Sequence, residues 1–259
     1  MTQPRAEPFA SQRNAILALL ITLAAASWAL LYWQASNMDM SMTMRATMGL
    51  TAPLFLAVWI VMMAAMMFPA VAPMVLAFHQ VQTARRKQGL AFVSTWIFVG
   101  GYMAVWTAAG LVAYGAALAG ERLADLAQWS PSTAARSGGL MLILAGVFQL
   151  TPLKAVCLSK CRTPMGFIVT SWRDGAGGAL RMGLVHGLYC LGCCWLLFVI
   201  LFPLGMMNIA ATALLAVLIF AEKTLPWGQR AAMLAAALFI AYGVMVLFSP
   251  VLLPTFMDM

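Results

Sequence analysis

The most distinctive chemistry in the sequence lies in one apolar segment, H-G-L-Y-C-L-G-C-C at residues 186–194. At about 100° per residue, a helix places the His186 imidazole and the Cys190, Cys193 and Cys194 thiols within a stripe about 100° wide. Thiolates and imidazoles bind soft and borderline metal ions, and neighbouring thiols also support redox chemistry. A buried cysteine can equally be a small apolar side chain, which makes helix packing the alternative. The four residues together favour a metal or redox site.

A second group of soft ligands is the run M-M-A-A-M-M at residues 62–67. In a helix, Met62 and Met66, and likewise Met63 and Met67, stand one turn apart and face similar directions. Thioethers suit Cu(I), whereas a methionine stripe taken alone is often adaptable core filler. The run and the cysteine segment both fall near the middle of their apolar stretches. We therefore hypothesise that the two helices are neighbours and form one site within the membrane.

Alternating methionines occupy a polar stretch before this run, M-D-M-S-M-T-M at residues 38–44. A polar, exposed segment has no core to fill. We therefore interpret this stretch as a capture arm for a soft metal ion, with copper as the first choice. The proposed ligands are Met38, Met40, Met42 and Met44.

Cys157 and Cys161 form a further pair, one helical turn apart, among lysines and an arginine. Nearby cations favour thiolates, so the pair could clasp a metal ion or form a reversible disulfide at the cytoplasmic interface. His79 and Glu222 are weaker ligand candidates that we expect near the same face. His79 can instead be solvated or capping a helix, and Glu222 can form a local ion pair with Lys223.

The composition excludes a soluble enzyme, since 64% of the residues are apolar and only 8% are charged. Lipid must cover most of this surface. The sequence has no phosphate-binding loop, no nucleophile elbow and no H-E-x-x-H motif, and it has only 2 histidines beside 21 methionines. The missing motifs favour the handling of a soft metal ion over enzymatic chemistry, and no organic cofactor is expected.

The apolar runs predict an all-α, polytopic transmembrane bundle of about seven helices, which forms one integral membrane domain over residues 1–259. Within it, residues 1–49 form an anchor helix and the methionine-rich extracytoplasmic loop, 50–230 the core and 231–259 the final helix. Pro69 and Pro73 predict a kink or break in the second span. Gly183 and Gly187 predict close approach of another helix. The predicted spans are residues 14–33, 53–77, 91–118, 136–153, 179–202, 207–221 and 232–253.

The basic residues predict the orientation. Of the 15 lysines and arginines, all but Arg45, Arg122 and Arg136 fall on one side of the predicted spans, which places the N-terminus in the cytoplasm. The net charge of +8 is thus a topology signal and an attraction to anionic lipids, and nucleic acid is not an expected partner. The first span is interpreted as a retained anchor, with a signal peptide as the alternative. Residues 154–178 are expected to lie at the cytoplasmic interface.

Several motifs resemble those of the bacterial predicted metal-binding integral membrane proteins. They are M-M-A-A-M-M-F-P-A-V-A-P-M, Q-L-T-P-L-K-x-x-C-L-x-x-C-R, W-R-x-G followed by G-A-L-R-M-G-L-x-H-G-L-Y-C-L-G-C-C-W, and E-K-T-L-P-W-G. Together they cover roughly residues 50–230. The resemblance implies a multi-pass protein of the bacterial inner membrane with Met, Cys and His as metal ligands, and it implies no particular substrate.

These observations favour a protein that binds Cu(I) and translocates it across the inner membrane or delivers it to a partner. A copper-requiring membrane enzyme and a metallochaperone are the expected partners. One alternative is a membrane thiol–disulfide redox protein, although the predicted topology leaves no cysteine on the oxidising side. Another is an assembly subunit of a membrane complex, in which the sulfur clusters only pack the core.

Overall fold

The computed structural model describes residues 7–37 and 46–257, and this part of the chain is helical with no strand. The prediction of an all-α fold is confirmed. The helices are α1 (Glu7–Asn37), α2 (Ala52–Lys87), α3 (Thr95–Leu126), α4 (Pro131–Gln149), α5 (Pro152–Arg162), α6 (Pro164–Ser171), α7 (Gly175–Val199), α8 (Leu201–Leu204), α9 (Ile209–Thr224), α10 (Gly228–Phe248) and α11 (Pro254–Met257), with a short 3₁₀ helix at Pro250–Leu252.

Five of the described helices are long and apolar enough to cross a membrane, or six if the bent pair α4 and α5 forms one broken span. The sequence predicted about seven. The difference lies partly in residues 207–221, which correspond to the 16-residue helix α9. A straight span needs about 20 residues, so α9 falls short by itself.

Helix α2 lies at the centre of the bundle and contacts α1, α3, α6 and α9. Around it, α3 packs along α7, and α4 packs along α10. The α3–α7 contact depends on small residues, because a Cβ on Gly183 would overlap the Phe98 carbonyl, and one on Gly187 would lie 2.9 Å from the Val105 side chain. The predicted close approach at Gly183 and Gly187 is confirmed, and α3 is the helix that approaches.

The predicted break at the prolines of α2 does not occur, since the helix continues through Pro69 and Pro73 to Lys87. A proline has no N–H, so Pro69 leaves the Ala65 carbonyl without its usual helical partner. The Trp28 indole of α1 donates a hydrogen bond of 3.2 Å to this carbonyl. A neighbouring helix thus satisfies the freed backbone group, which allows a proline inside a long apolar helix.

The region after α4 folds back along α7. Pro152 starts α5, and the Thr151 hydroxyl accepts a hydrogen bond from the Lys154 backbone N–H, so a new helix begins at once. Helices α4 and α5 meet at a bend of 64°. The segment expected at the interface, residues 154–178, therefore contains two short helices, α5 and α6, and α5 packs against α7.

Candidate metal centre

The two sulfur clusters predicted from the sequence meet between α2 and α7. The Met67 Sδ lies 4.0 Å from the Cys190 Sγ, which brings a thioether and a thiol from different helices together. Every residue of both clusters is buried. They are Met62, Met63, Met66 and Met67 of α2, and His186, Cys190, Cys193 and Cys194 of α7.

The thiols of α7 contact one another and a cysteine of α5. Cys193 Sγ lies 3.3 Å from Cys194 Sγ, and it donates a bond of 3.1 Å to the Cys190 carbonyl. Cys161 of α5 is partly buried and packs against the buried cluster that contains Cys190, Cys193 and Cys194. A Cβ on Gly192 would lie 2.9 Å from the Cys157 Sγ, so this glycine gives α5 the space to pack against α7.

This arrangement changes the expected role of the Cys157 and Cys161 pair. The sequence placed the pair at a separate cytoplasmic exchange point. In the structure, α5 folds back along α7, so Cys157 and Cys161, both partly buried, pack against the buried thiols of α7. The five cysteines are free thiols.

Two residues that sequence reasoning missed complete the surroundings of Cys190. The Lys223 ammonium donates to the Cys190 Sγ at 2.8 Å and lies 3.8 Å from the Met67 Sδ. The Tyr102 hydroxyl lies 3.1 Å from the same thiol. Lys223 is only 7% exposed. A buried ammonium needs an anionic partner, and a thiolate beside a cation is the reactive and metal-binding form of cysteine. Lys223 sits in the last turn of an apolar helix, which was the available sequence signal.

His186 lies one turn before Cys190 on the same helix face. Its ring packs against three aromatic rings, with centroids 6.0 Å from Phe98, 5.8 Å from Tyr102 and 5.2 Å from Phe167. The buried Nδ1 atom has no hydrogen-bond partner among the described residues. Buried polar atoms are nearly always paired, so this nitrogen has the capacity to bind a ligand.

His79 has partners elsewhere in the bundle. Its Nδ1 lies 3.2 Å from the Thr95 hydroxyl, and its Nε2 lies 3.5 Å from the Thr83 hydroxyl. The Thr95 contact ties α2 to the first residue of α3, whereas Thr83 lies one turn further along α2 itself. The metal-ligand role of His79 stays a prediction.

Glu222 is also engaged away from the sulfur atoms. It pairs with the Lys154 ammonium at 2.6 Å and accepts a bond of 2.9 Å from the Gln149 amide. The alternative of a local ion pair with Lys223 is wrong, because Lys223 reaches Cys190 instead. A metal role for Glu222 stays a prediction.

Two further observations concern the predicted ligands. Within residues 7–37 and 46–257, no three His, Cys, Asp or Glu side chains form a group that could hold a metal ion. Thioethers are not counted in such a group. The predicted capture arm lies outside the described residues, and its members are Met38, Met40, Met42 and Met44.

Comparison with known proteins gives the context for this sulfur-rich centre. No curated protein and no solved structure matches the chain. Residues 56–246 match the PpoB2 family, which is described as a family of copper chaperones, and this range includes all five cysteines and both histidines. The expectation of a metal-related family is confirmed. The chain belongs to the PpoB2 family of copper chaperones.

Proposed function

We propose that the chain binds Cu(I) between α2 and α7 and delivers it to a copper-requiring protein of the bacterial inner membrane. The observation that carries the proposal is the contact of 4.0 Å between Met67 Sδ and Cys190 Sγ, which joins the two soft-ligand clusters. Membership of a copper chaperone family supports copper as the cargo. The long apolar helices support a membrane location.

The separation of the two sulfur atoms fits a shared ion. With metal–sulfur bonds of about 2.3 Å, an ion bound to two sulfurs 4.0 Å apart has an S–metal–S angle of about 120°. That angle leaves room for a third ligand in the same plane. The candidates are the Cys193 thiol, which donates to the Cys190 carbonyl, the Cys161 thiol, which packs against the same cluster, and the unpartnered His186 Nδ1, one helical turn before Cys190.

The charges near the site also suit a monovalent cation. An uncompensated charge at the centre of a bilayer costs at least about 2.5–3.5 kcal/mol. A thiolate brings the opposite charge to the copper ion, and thioethers add neutral donors that need no deprotonation. Lys223 supplies a positive charge beside Cys190. Before copper binds, the ammonium balances one thiolate. After copper binds, the ammonium and Cu(I) together balance two thiolates.

The remaining predicted residues have subsidiary roles in this proposal. Met62, Met63 and Met66 extend the thioether surface along α2 from the proposed site. The methionines of residues 38–44 collect the ion on the extracytoplasmic side. His79 and Glu222 stay outside the proposed ligand set, because both have other partners. The whole chain acts as one integral membrane domain with a cytoplasmic N-terminus.

The test is a Cu(I) competition titration against a chromophoric chelator, with protein purified in detergent under reducing conditions. Met67→Leu and Cys190→Ser each weaken Cu(I) binding by about tenfold or more, which corresponds to about 1.4 kcal/mol. Met74→Leu is the matched control, since Met74 is equally buried in α2 and lies two turns away. Equal affinity in Met67→Leu and Met74→Leu contradicts the proposed site.

A thiol–disulfide redox function is the second candidate, favoured by the free thiols of α5 that pack against the free thiols of α7. Maleimide trapping of membranes with and without reductant separates the two functions. A redox protein shows a population of protected thiols that reductant exposes, and this population persists in copper-depleted cells. A copper carrier shows protection that follows the copper supply.

A further inference from the structure

Three polar side chains from three helices form a closed ring in the interior. The Lys154 ammonium of α5 donates to Glu222 of α9 at 2.6 Å and also to the Gln149 amide oxygen of α4. The Gln149 amide nitrogen donates to the other oxygen of Glu222 at 2.9 Å. Lys154 and Glu222 are 2% and 1% exposed. Each side chain of the ring therefore forms hydrogen bonds with the other two.

The ring lies at the bend where the chain turns from α4 into α5. Gln149 is the last residue of α4, and Lys154 lies in the first turn of α5. At the other end of α5, Arg162 donates a bond of 2.9 Å to the Leu225 carbonyl, next to the end of α9. Helix α5 is thus tied to α9 at both ends.

The position of α5 decides whether Cys161 reaches the thiols of α7. Cys161 packs against the buried cluster that includes Cys190, because α5 lies along α7, and Glu222 is the sequence neighbour of Lys223, which reaches the Cys190 thiol. A buried ion pair is a poor source of stability, because its desolvation cost offsets most of the attraction, and an apolar pair of similar volume is often as stable. The ring is better explained by the geometry that it fixes.

We propose that Gln149, Lys154 and Glu222 are positioning residues, which hold α5 folded against α7 so that Cys161 belongs to the same thiol group as Cys190. The inference deepens the proposed copper site and rests on that function for its biological meaning. Among the described residues, the side-chain hydrogen bonds of the ring run only between its three members. Its effect on Cys161 can therefore be measured without copper.

The test uses full-length chain in detergent that retains only Cys161 and Cys190, with the other cysteines changed to serine. Dibromobimane becomes fluorescent when it joins two nearby thiols, so it reports their proximity. The unmodified ring gives efficient cross-linking. Lys154→Met with Glu222→Leu removes both charges and leaves no unpaired ion, and we expect it to lower cross-linking at least about fivefold in a chain that still folds.

The reversed pair, Lys154→Glu with Glu222→Lys, provides the rescue. The Gln149 amide can rotate to exchange its donor and acceptor ends, so it can serve the reversed charges. We expect cross-linking to return to within about twofold of the unmodified ring. Lys160→Met, on the same helix but outside the ring, leaves cross-linking unchanged.

Wild-type cross-linking in the doubly apolar variant overturns the proposal, because α5 would then hold its position without the ring. If that variant does not fold, Gln149→Met takes its place, because this change leaves the ion pair intact and removes only the bridging amide. Undiminished cross-linking in Gln149→Met also overturns the proposal. A chain that binds no copper yet shows the expected cross-linking refutes the proposed function and leaves the positioning role intact.

Discussion

The contact between α1 and the proline-containing centre of α2 gives a prediction that can be worked out from single atoms. Trp28→Phe keeps an aromatic ring at this position and removes the indole N–H that reaches the Ala65 carbonyl at 3.2 Å. Because Pro69 has no N–H, nothing in α2 replaces the lost donor. The substitution therefore leaves a carbonyl without a partner in the interior of the bundle.

The magnitude follows from the cost of an unsatisfied buried polar group, which is about 1–3 kcal/mol. We expect Trp28→Phe to lower the free energy of unfolding by that amount. In a Pro69→Ala background, the backbone N–H that this change restores can bond the Ala65 carbonyl, and the same tryptophan substitution then costs less by about 1 kcal/mol.

The assay is a double-mutant cycle, measured by reversible denaturation in mixed micelles and followed by far-ultraviolet circular dichroism. Retention of Cu(I) affinity in each variant serves as the check that the proposed site is intact. An equal cost for Trp28→Phe in both backgrounds contradicts the hydrogen bond to the Ala65 carbonyl as the source of the effect. It would mean that the indole contributes by packing alone and that Pro69 is accommodated in another way.

Three further predictions concern packing and charge. Gly183→Ala places a methyl group against the Phe98 carbonyl of α3 and lowers the free energy of unfolding by about 1–3 kcal/mol. Gly177→Ala is the control and does not destabilise, because Gly177 has open space around it in the same helix. Equal thermal stability of the two variants contradicts the close packing of α3 and α7. His79→Ala lowers the free energy of unfolding by about 1–2 kcal/mol, because both ring nitrogens contact hydroxyl groups. The same contacts predict an unchanged Cu(I) affinity. A tenfold loss of Cu(I) affinity in the chelator titration would instead make His79 a ligand. Asp174→Asn breaks the ion pair with Arg85. Because Asp174 is 73% exposed, we expect chemical denaturation to show a loss in the free energy of unfolding of less than about 1 kcal/mol. A larger loss would show that this pair fixes α2 to α7.

The helical fold and the membership of the soft-ligand clusters could be predicted from local sequence. Helical periodicity alone places His186 and three cysteines of α7 on one face, and the structure buries that face. Burial of the M-M-A-A-M-M run follows from its place in an apolar helix. These predictions need only the geometry of one helix at a time.

The rest of the site depends on contacts between helices, which one sequence does not encode in any local pattern. The sequence predicts Lys223 in a loop beside Glu222. In the structure Lys223 lies in the last turn of α9, and its ammonium donates to the Cys190 thiol. The fold-back of α5 brings Cys161 to thiols about thirty residues later in the chain, and the bend at Pro152 gives no sign of its direction in the sequence. The continuity of α2 through Pro69 likewise depends on Trp28 of another helix.

X-ray absorption at the copper edge, on protein loaded with one equivalent of Cu(I) under reducing conditions, reports the copper ligands themselves. A copper site shared by α2 and α7 predicts a first shell dominated by sulfur at about 2.3 Å, with a coordination number near three. It also predicts that Cys190→Ser lowers the sulfur count by one, while Met74→Leu leaves the spectrum unchanged. A first shell of nitrogen and oxygen only, or an identical spectrum in Cys190→Ser, would contradict a copper site shared by α2 and α7.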